Sequence, residues 1–398
     1  MKRKMYYYTS SDTMQKILKG KNLFATNLDY MNDARECING LEELRKLLMS
    51  QDSIMEWKKQ CIKYVDIDVD CTRIQDILTE QKQKHYLEEN SRYSISFCEE
   101  NDLLSQWIAY SKESGVSIEM EFDLEKEYLF NLYNAEGERE IEAKLKVSPV
   151  FYYTQGKGTQ TEQKETEFRI LDALFEEYNP ESMSVEDYIV LPWQYLSNYI
   201  KAYDFYQEKE FRLLFESTKV RQLAQARVDY RADKYVIKPY LDVECYQGWP
   251  ITAIMVGPGF NQQIVFKSIS FFLDHAEIYS QILHTKAKFR KQIEKFFLNS
   301  GLFLDESFAI DKVKHPNYNL EREISLLSKK VRELQMGDIK NSDKKSYYII
   351  IKEVVRKIKE CAEKSDDKLD RDIYNYFQSN YFSACGIILR KSSIPYIF

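Results

Sequence analysis

The segment from Phe205 to Phe215 constrains the fold more than any other stretch, because its residues alternate in character. Side chains alternate between the two faces of a β-strand. A strand here would place Glu208, Glu210 and Arg212 on one face, with the two carboxylates about 7 Å apart. The other face turns apolar from Phe211 onward, as in a strand that enters a core. Because burying unpaired charges is costly, the charged row is either a solvated edge or the wall of a cleft.

Length and charge narrow the class of protein. At 398 residues the chain exceeds the size of one ordinary core, so we expect two domains or one large domain with an insertion. The net charge of −6 argues against a globally basic nucleic-acid binder. The 7 cysteines include no Cys-x-x-Cys pair and are typical of reduced thiols in a cytoplasmic protein. No apolar run approaches the roughly 20 residues of a membrane-spanning helix, so no membrane partner is expected.

Several common chemistries find no support in the sequence. There is no Gly-x-Gly-x-x-Gly or Walker-type loop, so the usual phosphate cradles are absent. The 4 histidines are dispersed, which argues against a zinc site or a serine hydrolase. We therefore expect no metal.

The first part of the chain predicts a compact unit of strand, helix and strand. Met5 to Thr9 suits a strand, Ser11 or Asp12 can cap the helix that follows, and Gly20 ends it. A second strand is predicted at residues 22–27.

Two later motifs add candidate functional side chains. Residues 92–97 alternate like a strand and place Ser94 and Ser96 on one face. A helix over residues 103–112 brings Trp107 and Tyr110 side by side, since they are three residues apart.

Further along, the pattern indicates an α+β fold with an added helical block. A mixed core of small twisted sheets flanked by helices is predicted for residues 1–276. Lysine-rich helices then form an insertion over 277–380, and residues 381–398 supply a final strand that returns to the core. The lysine-rich faces are either solvated or a surface for a partner or for self-association, chiefly over 280–380.

The ordered motifs resemble a bacterial family known as domain of unknown function 2971. The resemblance covers roughly residues 1–276 and 385–398. It rests on Tyr6-Tyr7-Tyr8-Thr9-Ser10, Ile17-Leu18, Asn32-Asp33 with Glu36, Ser94-Ile95-Ser96-Phe97, Gln106-Trp107 to Tyr110 with Gly115-Val116, Glu208-Lys209-Glu210-Phe211-Arg212, Val256-Gly257-Pro258 and Ser393-Ile394-Pro395-Tyr396.

A more distant resemblance, to ADP-ribosyltransferases, suggests a chemistry. That family opens with strand, helix and strand, continues with an aromatic-Ser-x-Ser strand and ends on a Glu-x-Glu strand. The matching positions here are Tyr7 or Tyr8 before Thr9, then Tyr93-Ser94-Ile95-Ser96, then Glu208-Lys209-Glu210. This sequence departs from the family at the first strand, where Tyr7 or Tyr8 stands in the place of the His or Arg shortly before Thr9.

The resemblance implies that NAD is consumed as a substrate. Glu210 would stabilise the oxocarbenium-like charge as nicotinamide leaves, and Glu208 would orient or deprotonate an acceptor or water. The resemblance also implies that the remaining candidates bind the cofactor: Tyr7, Tyr8, Thr9, Ser94, Ser96, Trp107 and Tyr110.

Each motif also has a purely structural interpretation. The charged row can be an intramolecular ion-pair ladder, the two serines half-buried strand residues, and Trp107 and Tyr110 core aromatics. Two functions therefore stay open at this stage. One is a cytoplasmic NAD-consuming enzyme, an ADP-ribosyltransferase or NAD glycohydrolase acting as a toxin or anti-phage defence effector on an unidentified protein or nucleic-acid acceptor. The other is a non-catalytic module that binds a nucleotide, a nucleic acid or a protein.

Overall fold

The structure is a computed structural model that describes residues 1–31, 43, 46, 91–110, 115–176, 195–217, 219–232, 236–275, 356, 381–382 and 387–395. The predicted helical insertion over 277–380 lies outside the described residues, apart from position 356. The Asn32-Asp33 motif and the C-terminal Tyr396 lie outside them as well.

The fold is α+β, as the sequence predicts. The chain forms two compact units, and each is built from separate stretches of sequence. The first unit contains Met1–Arg3, Asn22–Glu100 and Phe122–Gln247, and the second contains Lys4–Lys21, Asn101–Glu121 and Gly248–Phe398.

The first unit is built on antiparallel strands, with a helix alongside. Its strands are β2 (Asn22–Asn27), β3 (Arg92–Cys98), β5 (Tyr128–Leu132), β6 (Ile141–Leu145), β7 (Ser148–Pro149), β8 (Phe151–Tyr152), β9 (Ile200–Lys201), β10 (Glu210–Glu216), β11 (Asp229–Ala232) and β12 (Ile237–Cys245). Helix α3 (Gln160–Glu176) and the 3₁₀ turns η1 (Leu28–Tyr30), η2 (Tyr203–Glu208) and η3 (Leu223–Gln225) complete it.

Strand β10 has both faces buried. It pairs antiparallel with β3 over its whole length and with β7 near its start. Phe211, Leu213 and Phe215 lie on one face, where burial stabilises the fold by about 1.5–3 kcal/mol for each side chain. The other face carries Glu210 and Arg212 and is buried too, so of the two alternatives the solvated edge does not apply to β10.

The remaining strands of the first unit extend the sheet away from β10. β3 pairs with β2, β2 with β12, β12 with both β5 and β11, and β5 with β6, all antiparallel. β8 and β9 form a separate parallel pair.

The second unit combines strands and helices around an apolar core. Its elements are most of β1 (Lys2–Ser10), α1 (Ser11–Gly20), α2 (Leu104–Tyr110), most of β4 (Gly115–Asp123), β13 (Ile251–Val256), α4 (Gln262–His275), β14 (Tyr381–Phe382) and β15 (Ile388–Lys391). β13 pairs antiparallel with β4 and parallel with β15.

Helix α1 forms as predicted but with a different N-cap. Its N-cap is Ser10, whose side-chain oxygen accepts a hydrogen bond from the Thr13 N–H at 3.2 Å. The last helical residue is Gly20, as predicted. Lys21 caps this end: it is left-handed with φ 65° and donates its N–H to the Ile17 carbonyl. The predicted N-cap at Ser11 or Asp12 is misplaced by a residue or two. Within the described part of the chain, no helix is long and apolar enough to cross a membrane.

Candidate functional site

The residues predicted to form one site fall in different units. Glu208, Glu210, Ser94 and Ser96 belong to the first unit. The second unit holds the other predicted cofactor residues, which are Tyr7, Tyr8, Thr9, Trp107 and Tyr110.

The strand predicted from Phe205 begins only at Glu210. Glu208 is instead the last residue of the 3₁₀ turn η2. Lys209 follows in the left-handed conformation, with φ 43°, and this turn separates the two glutamates. The predicted placement of Glu208 on the same strand face as Glu210 is therefore wrong, because a strand cannot pass through a left-handed residue without interruption.

Glu210 is held by two cations. Arg212 donates from Nε to Glu210 Oε1 at 2.7 Å and from Nη2 to Oε2 at 3.0 Å. Lys201 donates from Nζ to Oε2 of the same carboxylate at 3.3 Å and to Glu208 Oε2 at 2.7 Å. The backbone N–H of Glu210 donates to the Tyr152 hydroxyl at 2.7 Å. The sequence predicted Glu208, Glu210 and Arg212 of this cluster, and the structure adds Lys201 and Tyr152.

This cluster keeps Glu210 ionised. The residue is 7% exposed, and burial alone would raise the pKa of its carboxyl group. The charges of Arg212 and Lys201 outweigh that effect and lower the pKa to about 2. Glu210 is therefore a carboxylate near neutral pH, and both of its oxygens are engaged by cations.

The two predicted serines lie on the same sheet face as Glu210 and Arg212. Ser96 stands opposite Arg212 in the β3–β10 register, and Ser94 stands opposite Leu214. The Ser96 hydroxyl helps to lower the Glu210 pKa, although it makes no hydrogen bond of ordinary geometry. The Ser94 hydroxyl is likewise buried without a hydrogen-bond partner. Such buried hydroxyls are exceptions that call for an explanation.

A buried asparagine covers this polar face. Asn198 is 0% exposed, and its carbonyl oxygen accepts a hydrogen bond from Arg212 Nη1 at 2.6 Å. Its side-chain Oδ1 accepts from Arg92 Nη1 at 3.3 Å. Arg92 also donates from Nη2 to Asp29 Oδ1 at 2.6 Å. Arg92 and Arg212, which lie on neighbouring strands, therefore both donate hydrogen bonds to Asn198.

In the second unit, Tyr8 and Trp107 pack as core aromatics. Their ring centroids lie 4.7 Å apart with an edge-on geometry. The Tyr8 hydroxyl accepts from the Leu103 N–H at 3.1 Å, and Trp107 Nε1 donates to Asp102 Oδ1 at 2.8 Å. Tyr110 is 47% exposed, so the helix does not bring its ring into that core.

The other two predicted residues of β1, Tyr7 and Thr9, lie on the same face of the strand. Tyr7 is half-buried and Thr9 is buried. The departure from the ADP-ribosyltransferase pattern remains, because residues 5–8 of this strand include no cationic side chain.

An open cavity of about 500 Å³ lies elsewhere in the first unit. We call it the tyrosine cavity. Its aromatic side chains are Phe151, Tyr195 and Tyr199. Its charged side chains, among the described residues, are the cations Lys144, Lys146, Arg169 and Lys219 and the carboxylate of Glu127.

Cations lie over two of the rings that line the tyrosine cavity. The Tyr195 and Tyr199 hydroxyls are 3.1 Å apart, and their ring centroids are 5.4 Å apart. Lys219 Nζ lies 4.6 Å from the Tyr195 ring centroid, and the Arg169 guanidinium lies 5.6 Å from that of Phe151. A site with these groups can receive an anion and an unsaturated ring together.

Sequence reasoning missed this cavity because its lining comes from five separate segments. Lys144 and Lys146 alternate with apolar residues on and after β6, which is the only local signal that the sequence offers for them. Nothing near Tyr195 or Lys219 in the sequence indicates that they meet.

Comparisons of the chain with protein-family models, with curated proteins and with solved structures find no match.

Proposed function

We propose that the protein is a binding module for a phosphate-bearing small molecule, with nucleotides as the ligand class and the tyrosine cavity as the site. The observation that carries the proposal is the lining of the cavity. Four described cations and one described carboxylate surround it, next to three aromatic rings. Its volume of about 500 Å³ lies within the usual range for small-molecule sites.

The chemistry of each group matches part of a nucleotide. Lysine and arginine bind phosphate through charge-assisted hydrogen bonds. Phe151, Tyr195 and Tyr199 are at most 8% exposed. Arg169 and Lys219 lie over two of these rings, so a base has to reach the rings beside these cations. Stacking there is worth about 1–3 kcal/mol for each base. A ligand with phosphate at one end and a base at the other therefore uses both kinds of lining residue.

The state of Glu210 favours binding over catalysis. A catalytic carboxylate has to reach the substrate, but the Glu210 oxygens are engaged by Arg212 and Lys201, and the residue is 7% exposed. Displacing both cations would leave a buried charge unpaired, which costs about 3–5 kcal/mol.

Calorimetric titration with ATP at low salt tests the proposal. We expect saturable binding that weakens as salt rises, because charged groups carry much of the contact. Lys144→Glu combined with Lys146→Glu should weaken binding at least about tenfold, since like charges repel the phosphates. The matched control is Lys267→Glu, which changes an exposed lysine of α4 that does not line the cavity. Absence of binding at about 1 mM ATP would overturn the proposal.

A second candidate is the NAD-consuming enzyme, an ADP-ribosyltransferase or NAD glycohydrolase serving as a cytoplasmic toxin or defence effector. The observation that favours it is the ionised Glu210 on the same sheet face as the buried Ser94 and Ser96 hydroxyls, neither of which makes a hydrogen bond of ordinary geometry. Such groups are common where a ligand completes the hydrogen bonding. In this proposal Glu208, 31% exposed at the side chain, would face the acceptor.

Nicotinamide release from NAD separates the two candidates. The enzyme requires turnover, with or without cell extract as a source of acceptor, and Glu210→Gln has to abolish it. ATP binding without any nicotinamide release supports the binding module and removes the second candidate.

A further inference from the structure

We infer that Arg92 and Arg212 are positioning residues for the tyrosine cavity, which they serve by holding Asn198 so that Tyr195 and Tyr199 form its wall. The inference rests on the proposed function and adds a role for the charged row of β10. In this role the row shapes a ligand site at a distance and does not itself touch the ligand.

The first step is the local structure around Asn198. Its backbone N–H and its side-chain Nδ2 both donate to the Tyr195 carbonyl, each at 3.2 Å. The Tyr199 N–H donates to the Leu196 carbonyl at 2.8 Å. Residues 195–197 are helical and residues 198–199 turn the chain away from the helix. Asn198 is buried in this turn, between the two tyrosines that line the cavity.

The second step is the attachment of this turn to the sheet. Arg212 on β10 donates to the Asn198 carbonyl at 2.6 Å, and Arg92 on β3 donates to its Oδ1 at 3.3 Å. Both arginines lie on the same sheet face, since Arg92 and Glu216 are opposite in the register and Glu216 is four residues from Arg212. The turn is therefore fixed through both its backbone and its side chain.

The third step is the orientation of the arginines themselves. Glu210 binds Nε and Nη2 of Arg212, which leaves Nη1 directed at Asn198. Asp29 binds Nη2 of Arg92 and directs its Nη1 to the same residue. A planar guanidinium can make such contacts on two sides at once, which an ammonium group cannot reproduce.

The phosphate half of the site is held differently. Lys144 lies on β6, which pairs with β5, and Lys146 follows two residues later. Both lie on a segment separate from residues 195–199. Among the four cations, Lys219 lies over the Tyr195 ring and would move with the turn. Loosening the turn should therefore disturb mainly the recognition of the base and leave most of the recognition of phosphate in place.

The test compares the dissociation constants of ATP and of inorganic tripolyphosphate, which has the phosphate chain without a base. We expect wild-type protein to prefer ATP. Asn198→Ala, which removes the contacts of Oδ1 and Nδ2 but keeps the Glu210–Arg212 pair, should reduce that preference about tenfold, within the range of base stacking. Arg212→Lys should do the same, with tripolyphosphate affinity nearly unchanged.

A conservative change and a stability measurement complete the design. Asn198→Asp keeps a side-chain acceptor for Arg92 and should retain more of the ATP preference than Asn198→Ala. All affinities are measured below the unfolding transition of each variant, and if Arg212→Lys does not fold, Asn198→Ala decides. A role in stability alone would lower the melting temperature and leave the ratio of the two affinities unchanged, which would overturn the inference.

The two failures can be told apart. If wild-type protein binds neither ATP nor tripolyphosphate, the proposed function fails and the inference fails with it. If wild-type protein prefers ATP and folded Asn198→Ala keeps the same preference, only the inference fails.

Discussion

Arg212 binds both carboxylate oxygens of Glu210, two residues earlier on the same strand, at 2.7 and 3.0 Å. The two side chains share a face because a strand repeats every second residue. The contact is bidentate, which suits the planar guanidinium and makes it stronger than a single hydrogen bond. A pair of this kind is costly to break because it is buried.

The first prediction concerns acid stability. The pKa of Glu210 is lowered to about 2 from its ordinary value of 4.5, so its ionised form stabilises the fold fully above the higher value. That contribution should disappear as pH falls from about 4.5 to about 2, and it amounts to about 3 kcal/mol. Urea unfolding of wild-type protein and Glu210→Gln should show the difference between their free energies of unfolding shrinking across this window.

The control for acid stability is Glu142→Gln, which changes an exposed carboxylate on β6. Its free energy of unfolding should stay parallel to that of wild-type protein. A constant difference between wild-type protein and Glu210→Gln from pH 5 to pH 2, roughly, would contradict the ion pair as the source of stability.

Local pattern predicted much of the fold. The alternation at residues 92–97 predicted β3, and that from Phe211 onward predicted β10, because burial on one face imposes a period of two. The same alternation places Glu208 on the strand, which is wrong because the left-handed Lys209 separates Glu208 from β10. A left-handed residue is usually signalled by Gly or Asn, and lysine gives no such signal.

The candidate site was less predictable because its contacts join distant parts of the chain. Lys201 binds Glu210 from another strand, and Asn198 receives two arginines from β3 and β10. No property of Lys201 or Asn198 in the sequence distinguishes them from solvated residues. The sequence identified Glu210 and Arg212 as candidate residues. Their contacts with Lys201 and Asn198 are visible only in the three-dimensional structure.

The second prediction concerns Lys201, which is buried between Glu208 and Glu210. Lys201→Met should lower the free energy of unfolding by about 3 kcal/mol, because it leaves two nearby carboxylates without their shared cation. Chemical unfolding of the two single variants, Lys201→Met and Glu208→Gln, and of the double variant gives their coupling energy.

We expect the Lys201–Glu208 coupling to be about 1 kcal/mol, since the Glu208 side chain is 31% exposed and water screens the pair. Strict additivity of the two substitutions would show that the ion pair does not contribute.

The third prediction concerns Gly257. A Cβ atom there would lie 2.8 Å from Cε3 of Trp107 and 2.9 Å from its Cζ3. The ring cannot move away easily, because Asp102 accepts its N–H and Tyr8 packs against it. Gly257→Ala should therefore destabilise the fold by about 1–3 kcal/mol, as overpacking does.

Gly20→Ala is the matched control for Gly257→Ala. A Cβ atom at Gly20 meets nothing within 4 Å, and the residue ends helix α1. Alanine there should leave stability unchanged or raise it by about 0.5–1 kcal/mol. Equal melting temperatures for the two variants would refute close packing of Trp107 on Gly257.

The last prediction concerns Asp102, which joins the start of α2 to residues near the end of the chain. Its Oδ1 accepts from Ser392 Oγ at 2.6 Å, and its Oδ2 accepts from the Ser393 N–H at 2.9 Å and from Ser393 Oγ at 3.1 Å. Because Trp107 Nε1 also donates to Oδ1, Asp102→Ala removes four hydrogen bonds and should cost about 2–3 kcal/mol.

Hydrogen exchange distinguishes this tether from a general loss of stability. The Ser393 amide should exchange much faster in Asp102→Ala, whereas amides of β10, in the other unit, should change only as far as global stability does. Asp102→Asn keeps one acceptor oxygen and should fall between wild-type protein and Asp102→Ala. If the Ser393 amide exchanges equally in all three proteins, Asp102 does not hold this segment, because an amide that keeps its protection must have kept its hydrogen bond.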